Sequence, residues 1–151
     1  MAFPASGVFV PTMVGALNNT LALDLSLDTH KVALWTDTGT YDLHTNTAYG
    51  VAPWNANEVP NGSGYTTGGN ALTGTTYAAT GATGGTWWDA TDTPWTSSTF
   101  SGVRGCLIYA DVLAGNEGIM AVNFGAAYGV TSGTFTIQWN VSGILTIDWM
   151  P

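Results

Sequence analysis

Residues 133–150 constrain the fold more than any other stretch of this chain. Phe135, Ile137, Trp139 and Val141 alternate with Thr134, Thr136, Gln138 and Asn140. That is the period of a strand with one dry and one wet face; on a helix the same apolar set would scatter around the axis. Ser142-Gly143 supplies two turn residues, one of them free to take positive φ, and a second alternating run places Leu145, Ile147 and Trp149 on one side. The spacing predicts a C-terminal β-hairpin with Trp139 and Trp149 in the core, and strands elsewhere in the chain must close that core.

Several stretches can supply those strands. Leu21, Leu23, Leu25 and Leu27 alternate with Ala22, Asp24, Ser26 and Asp28, a second period-two run that bends at residues 28–29 before an apolar strand at residues 31–36. Residues 103–110 and 119–124 read as two more, joined by turn-rich residues 113–118. Trp87-Trp88 opens another, and because strand neighbours face opposite sides, one ring is expected in the core and the other on a surface. Residues 37–62 lose periodicity and read as a long loop with Tyr41, Leu43, Tyr49 and Trp54 as isolated anchors; loops of that length in a compact domain are commonly functional or partner-facing. Residues 62–86, rich in Gly and Thr, read as irregular strands with turns, since Tyr65, Leu72 and Tyr77 give them something to bury.

The expectation is therefore an all-β chain. Residues 19–151 form one antiparallel β-sandwich or barrel-like domain of six to nine strands. Residues 1–18 form an extended arm, interrupted by Pro4 and Pro11, with at most one short helix starting at Pro11 and ending at Asn18.

Composition narrows function. Charged residues make up 8% of the 151, against about a quarter in an ordinary soluble domain, so the surface is neutral and polar and is expected to meet other protein copies. Ten acidic residues face Lys31 and Arg104 alone, a formal charge of −8. A grip on DNA or RNA needs several cations at the phosphates, and anionic membranes need the same, so neither partner is expected. Two sites for trypsin-like cleavage suit an extracellular existence. Cys106 is the only cysteine and lies in an apolar strand, where it reads as a small core side chain with no internal disulfide or thiolate zinc site. The N-terminal apolar residues follow no basic segment, and no run approaches the roughly 18 apolar residues of a membrane span, so neither a secretory leader nor an anchor is expected.

Catalytic chemistry finds little to use. His30 and His44 are the only imidazoles and stand in no nucleophile motif, so both read as structural or solvent-exposed. The carboxylate pairs Asp24 with Asp28, Asp37 with Asp42, and Asp89 with Asp92 have the residue types of a glycosidase. All sit among turn-forming Thr and Gly, where Asp bonds its own backbone, and none forms the spaced acidic loop of a calcium hand. The glycine-rich tract lacks the Lys and helix start of a phosphate cradle. No catalytic residue, cofactor or metal is expected. Seven tryptophans and six tyrosines point instead to contact. Trp35, Trp139 and Trp149 follow strand patterns into the core, while Trp54, Trp88 and Trp95, with Phe3, Pro4, Phe9, Val10 and Pro11 of the arm, are the candidate partner-contact residues. The competing role for the three rings is to pin their loops to the core.

Three segments carry a resemblance. Residues 24–34 (Asp-Leu-Ser-Leu-Asp-Thr-His-Lys-Val-Ala-Leu), residues 62–72 with their Gly-Tyr-x-x-Gly-Gly-x-x-Leu element, and residues 132–139 together with Gly143-Ile144-Leu145 resemble a family of small β-rich virion proteins. Those proteins are encoded among the structural genes of tailed bacteriophages and described as head decoration or minor capsid proteins. The resemblance runs from about residue 20 onward; the family more usually has an apolar residue at the place of His30 and a charged helix in place of the proline-bearing arm. It implies no catalytic residues and no cofactor. It implies a homo-oligomeric protein on the outer surface of the particle, assembled in the host cytoplasm and released by lysis, that binds the major capsid protein or other virion proteins. The alternative is a tail-associated or carbohydrate-binding module in which Trp54, Trp87, Trp88 and Trp95 meet a host glycan.

Overall fold

The computed structural model describes residues 3–27, 29–36, 39–81 and 84–150. In chain order it has β1 (Gly7–Val8), α1 (Val10–Leu17), β2 (His30–Thr36), β3 (Asn70–Ala71), β4 (Thr76–Ala79), β5 (Gly85–Asp89), β6 (Thr93–Ala110), β7 (Gly118–Ile137) and β8 (Leu145–Asp148). They form two antiparallel sheets, one of five strands in the order β1-β7-β6-β2-β3 and one of three in the order β4-β5-β8. The chain is all-β, and of the two architectures expected, the open sandwich is the one found; neither sheet closes into a barrel.

The central strands are apolar on both faces because both faces are covered. On β2, Val32 and Leu34 enter one core with Trp88, Trp95, Cys106, Ile108, Ile119 and Ile137. Ala33 and Trp35 point the other way, into a second core with Leu107, Tyr109, Ala121, Phe3, Phe9 and Trp54. The first core lies toward the second sheet. The second is roofed by the N-terminal residues and the long loop. A strand buried on two sides needs a continuous apolar run, which is what β2 and the end of β6 have.

The long loop is thus a covering layer. Trp54 is buried at its centre, with ring centroids 4.3 Å from Tyr41, 5.3 Å from Trp35, 5.6 Å from Phe9 and 5.9 Å from Phe3. Glu58 fastens the loop's far end: its carboxylate accepts from Tyr49 Oη at 2.9 Å, Tyr65 Oη at 2.7 Å and the Gly68 amide at 2.7 Å. Tyr109 Oη donates to the Gly68 carbonyl at 2.8 Å, and its ring stacks on Tyr49 at 4.4 Å.

Three expectations are corrected. The C-terminal hairpin does not form. A tight turn is present, with the Gly143 amide donating to the Asn140 carbonyl at 2.7 Å, but β7 pairs with β6 while β8 crosses to pair with β5 in the other sheet. Val141 and Trp149, expected inward, are 99% and 54% exposed. The leucine run at residues 21–27 is no strand either. Leu21, Leu23 and Leu25 are half-buried and Ala22, Asp24 and Ser26 exposed, so the period-two burial is present without a ladder; the Leu25 carbonyl instead accepts from Trp88 Nε1 at 2.6 Å.

The arm, finally, belongs to its own domain. β1 pairs with β7, the Phe9 amide donates to the Ile119 carbonyl at 2.9 Å, and Phe3 and Phe9 are buried. The short helix expected between Pro11 and Asn18 is α1, with Asn18 as its C-cap. Its one buried residue is Thr12, whose hydroxyl donates to the Gly118 carbonyl at 2.6 Å. That orientation turns Val10, Val14 and Leu17 outward, while Met13 packs against the first core.

Candidate functional site

Most of the expected contact residues are interior. Phe3, Phe9 and Trp54 lie in the second core, Trp88 and Trp95 in the first, all buried. They act as packing anchors, so a glycan site built on Trp54, Trp88 and Trp95 is ruled out by their burial; only Trp87 of that set keeps a partly open ring. Of the arm residues, Pro4 and Pro11 are half-buried and Val10 is 38% exposed.

The surface feature the sequence left unmarked comes from irregularity in the β6/β7 ribbon. Across from the pairs Val103↔Tyr128 and Gly105↔Asn123, four residues, Phe124 to Ala127, stand opposite Arg104 alone. Further register shifts occur between Trp95 and Ser98, Ser98 and Phe100, and Phe100 and Val103. Ser97, Gly102, Gly125 and Ser132, one near each shift, have positive φ, the backbone signature of bulges that bend a strand and re-aim its side chains. The largest bulge is held by Asn123. Its side chain accepts from the Gly125 amide at 2.7 Å and donates to the Phe3 and Pro4 carbonyls at 3.2 and 2.9 Å.

Bent in this way, β7 forms two walls of one groove. Val122, Phe124 and Tyr128 line one side; residues 135–140 with Gly143 and Ile144 line the other, enclosing about 490 Å3. Phe135 is a fixed floor, with ring centroids 5.3 Å from Phe100, 6.0 Å from Trp95 and 6.5 Å from Phe124. Tyr128 sits edge-on to Phe124 at 6.2 Å and is 50% exposed. The far wall is held by hydrogen bonds: the Trp139 amide donates to Asp92 Oδ1 at 3.0 Å and the Ile144 amide to the Trp88 carbonyl at 2.7 Å. No lining residue is charged, in a chain of net charge −8.

No family model, curated protein or solved structure matches this chain.

His30, Asp24 and Asp42 are engaged in local structure. His30 is buried, with Nε2 2.7 Å from the Asp24 carbonyl and its ring edge-on to Trp88 at 5.8 Å, while His44 is exposed. Asp24 accepts from the Ser26 hydroxyl and amide, and these bonds hold its carboxyl below the usual carboxylate range. The His44 amide and the Thr45 hydroxyl do the same for Asp42. Their proposed partners Asp28 and Asp37 lie outside the described residues. Cys106 is buried in the first core, and burial pushes its thiol up, away from a nucleophile's range. Among the described residues no group of three His, Cys, Asp or Glu could hold a metal ion, and no helix is long and apolar enough to cross a membrane.

A second surface is the outer side of α1. Val10, Val14 and Leu17, spaced by four and three positions, are 38%, 54% and 76% exposed. Residues 3–23 contain no charge at all. Pro11 and Asn18 marked the ends of the helix in the sequence, but nothing told which side faced inward; the Thr12 hydrogen bond fixes that.

Proposed function

We propose that this chain is a structural protein of a tailed-phage virion, seated on the head shell as a decoration or minor capsid protein and bound through protein contacts. The observation that carries this reading is the outward apolar stripe of α1. A helix normally buries its apolar stripe; this one turns Thr12 and Met13 inward and leaves Val10, Val14 and Leu17 to solvent. The uncharged segment around them lets a −8 chain approach a partner without burying an unpaired charge there. The resemblance of residues 24–34, 62–72, 132–139 and 143–145 to small phage head proteins supplies the setting. In that setting the arm docks with its helix, and its phenylalanines hold the helix in place. Each copy would need to contribute only a few kcal/mol, since shell symmetry repeats the contact.

The test is Val14→Asp with Leu17→Asp, measured by co-sedimentation with assembled shells. Both side chains are exposed, so the folded domain should survive, with stability changed by within about 0.5 kcal/mol per site. Attachment is expected to disappear. A folded double variant that still attaches would overturn the α1 docking reading, and absence of the protein from purified particles would overturn the virion role itself.

A further inference from the structure

The β7 groove goes beyond a role in shell attachment. We infer that it is a binding site for a neutral saccharide, held by stacking on Tyr128 and Trp139 with hydrogen bonds from Gln138 and Asn140. The argument is one of matching chemistry. Four aromatic residues, Phe124, Tyr128, Phe135 and Trp139, share the groove with the neutral polar residues Thr136, Gln138 and Asn140, and no charged residue lines it. A purely apolar ligand would leave the amides unpaired on binding, which costs affinity. An anionic ligand would meet a −8 chain with no cation in the groove to receive it. A pyranose satisfies both conditions: its axial C–H faces are apolar enough to stack on a ring, and its hydroxyls take bonds from amides. The groove's volume of about 490 Å3 lies in the ordinary range for small-molecule sites.

Preorganisation supports the same conclusion. Phe135 is locked among Phe100, Trp95 and Phe124, so the floor is rigid before any ligand arrives. The four-residue bulge, clamped by Asn123, is the device that carries Tyr128 to the rim. Placement by rigid backbone lowers the ordering cost of binding.

The experiment titrates the full chain, by calorimetry and by NMR, with maltohexaose, cellohexaose and N-acetylchitohexaose, and with sialyllactose and oligogalacturonate as acidic controls. At least one neutral oligosaccharide is expected to bind and the acidic ones are not. Tyr128→Ala should weaken that binding about tenfold or more, and Gln138→Ala should weaken it independently, while Leu17→Ala, away from the groove, leaves it unchanged. Both groove positions are exposed, and circular dichroism checks that the variants are folded. Failure of all three neutral probes at about 10 mM, preference for the acidic ones, or binding that survives Tyr128→Ala combined with Gln138→Ala overturns the proposal. So does a pair of groove variants that lose shell attachment while the native chain binds no sugar, since the groove then belongs to a protein partner. Shell co-sedimentation of the same variants separates the two readings: lost sugar binding with attachment intact concerns this groove alone.

Discussion

The two ends of the β6/β7 ribbon share the same strands and differ in everything around them. From Gly105 to Ile108, β6 pairs residue for residue with positions 120–123 of β7, with a core on each face. From Thr93 to Gly105 the same pair slips register four times, and β7 is exposed from Gly125 to Gly129. The cause is coverage. A one-residue slip turns every later side chain to the opposite face, so the end packed on both sides holds its register except for one shift at Ile108/Tyr109, where β6 is about to end. An end with one open face can absorb bulges, and their bends make the groove. Packing on both sides therefore enforces regularity, and a site is built where one side is released.

The largest effect should come from breaking the covered end. Leu107→Ala leaves a cavity in the second core, beneath the roof of Phe9 and Trp54, and should cost about 2–5 kcal/mol in urea unfolding. A cost under about 1 kcal/mol would mean the roof is loosely held. Next is Gly105→Ala. A Cβ there would overlap the Phe3 ring and the Val122 carbonyl, so overpacking should cost about 1–3 kcal/mol. Truncating the ring as well, Phe3→Leu, should recover part of that loss.

At the bulged end the corresponding change should act differently. Gly125 has φ +75° with nothing within 4 Å of an added Cβ, so Gly125→Ala meets no clash and pays only left-handed backbone strain, about 1–2 kcal/mol. Its sharper signature is local: amide exchange at residues 124–128 should accelerate while residues 105–108 stay protected. Equal acceleration at both ends would deny that the ribbon has two regimes.

What could be read in the sequence follows the same division. The apolar runs of β2 and of residues 103–110 and 119–124 were legible because two-sided burial writes itself as uninterrupted hydrophobicity. The alternation at residues 134–149 was legible as strand, but alternation records which face is dry and says nothing of the partner. The chain after Gly143 could thus pair with β5 and not with β7. At residues 21–27 the leucines record burial alone, since no ladder forms. The groove was least visible. Two of its bulges rest on Ser97 and Ser132, residues with no marked preference for positive φ, the glycines of the other two, Gly102 and Gly125, are only two of the chain's twenty, and Tyr128 sits in Gly-Ala-Ala-Tyr-Gly, which carries no period. Trp54 misled for a related reason: a ring isolated in an aperiodic loop is as well placed to anchor that loop as to face a partner.

The smallest effect at neutral pH concerns the loop over the covered end, and it appears only in alkali. Burial, then the hydrogen bond and charge of Glu58, push the Tyr49 hydroxyl up to about 12; burial with the Glu58 carboxylate beside it raises Tyr65, and burial with Asp111 nearby raises Tyr109. A folded-state pKa above the unfolded value means the fold prefers the neutral phenol. The resulting stabilisation is complete below the unfolded value of about 10 and is lost as pH rises toward and through the folded one. The melting temperature should therefore change little for this reason up to about pH 10 and then fall, with tyrosinate absorbance from these rings appearing late. Glu58→Gln removes the charge while keeping an acceptor, so ionisation should begin at lower pH and the alkaline loss of stability should become shallower. If the variant titrates like the native chain, the Glu58 carboxylate contributes nothing, and burial, with Asp111 beside Tyr109, holds the three phenols neutral over the regular half of the ribbon.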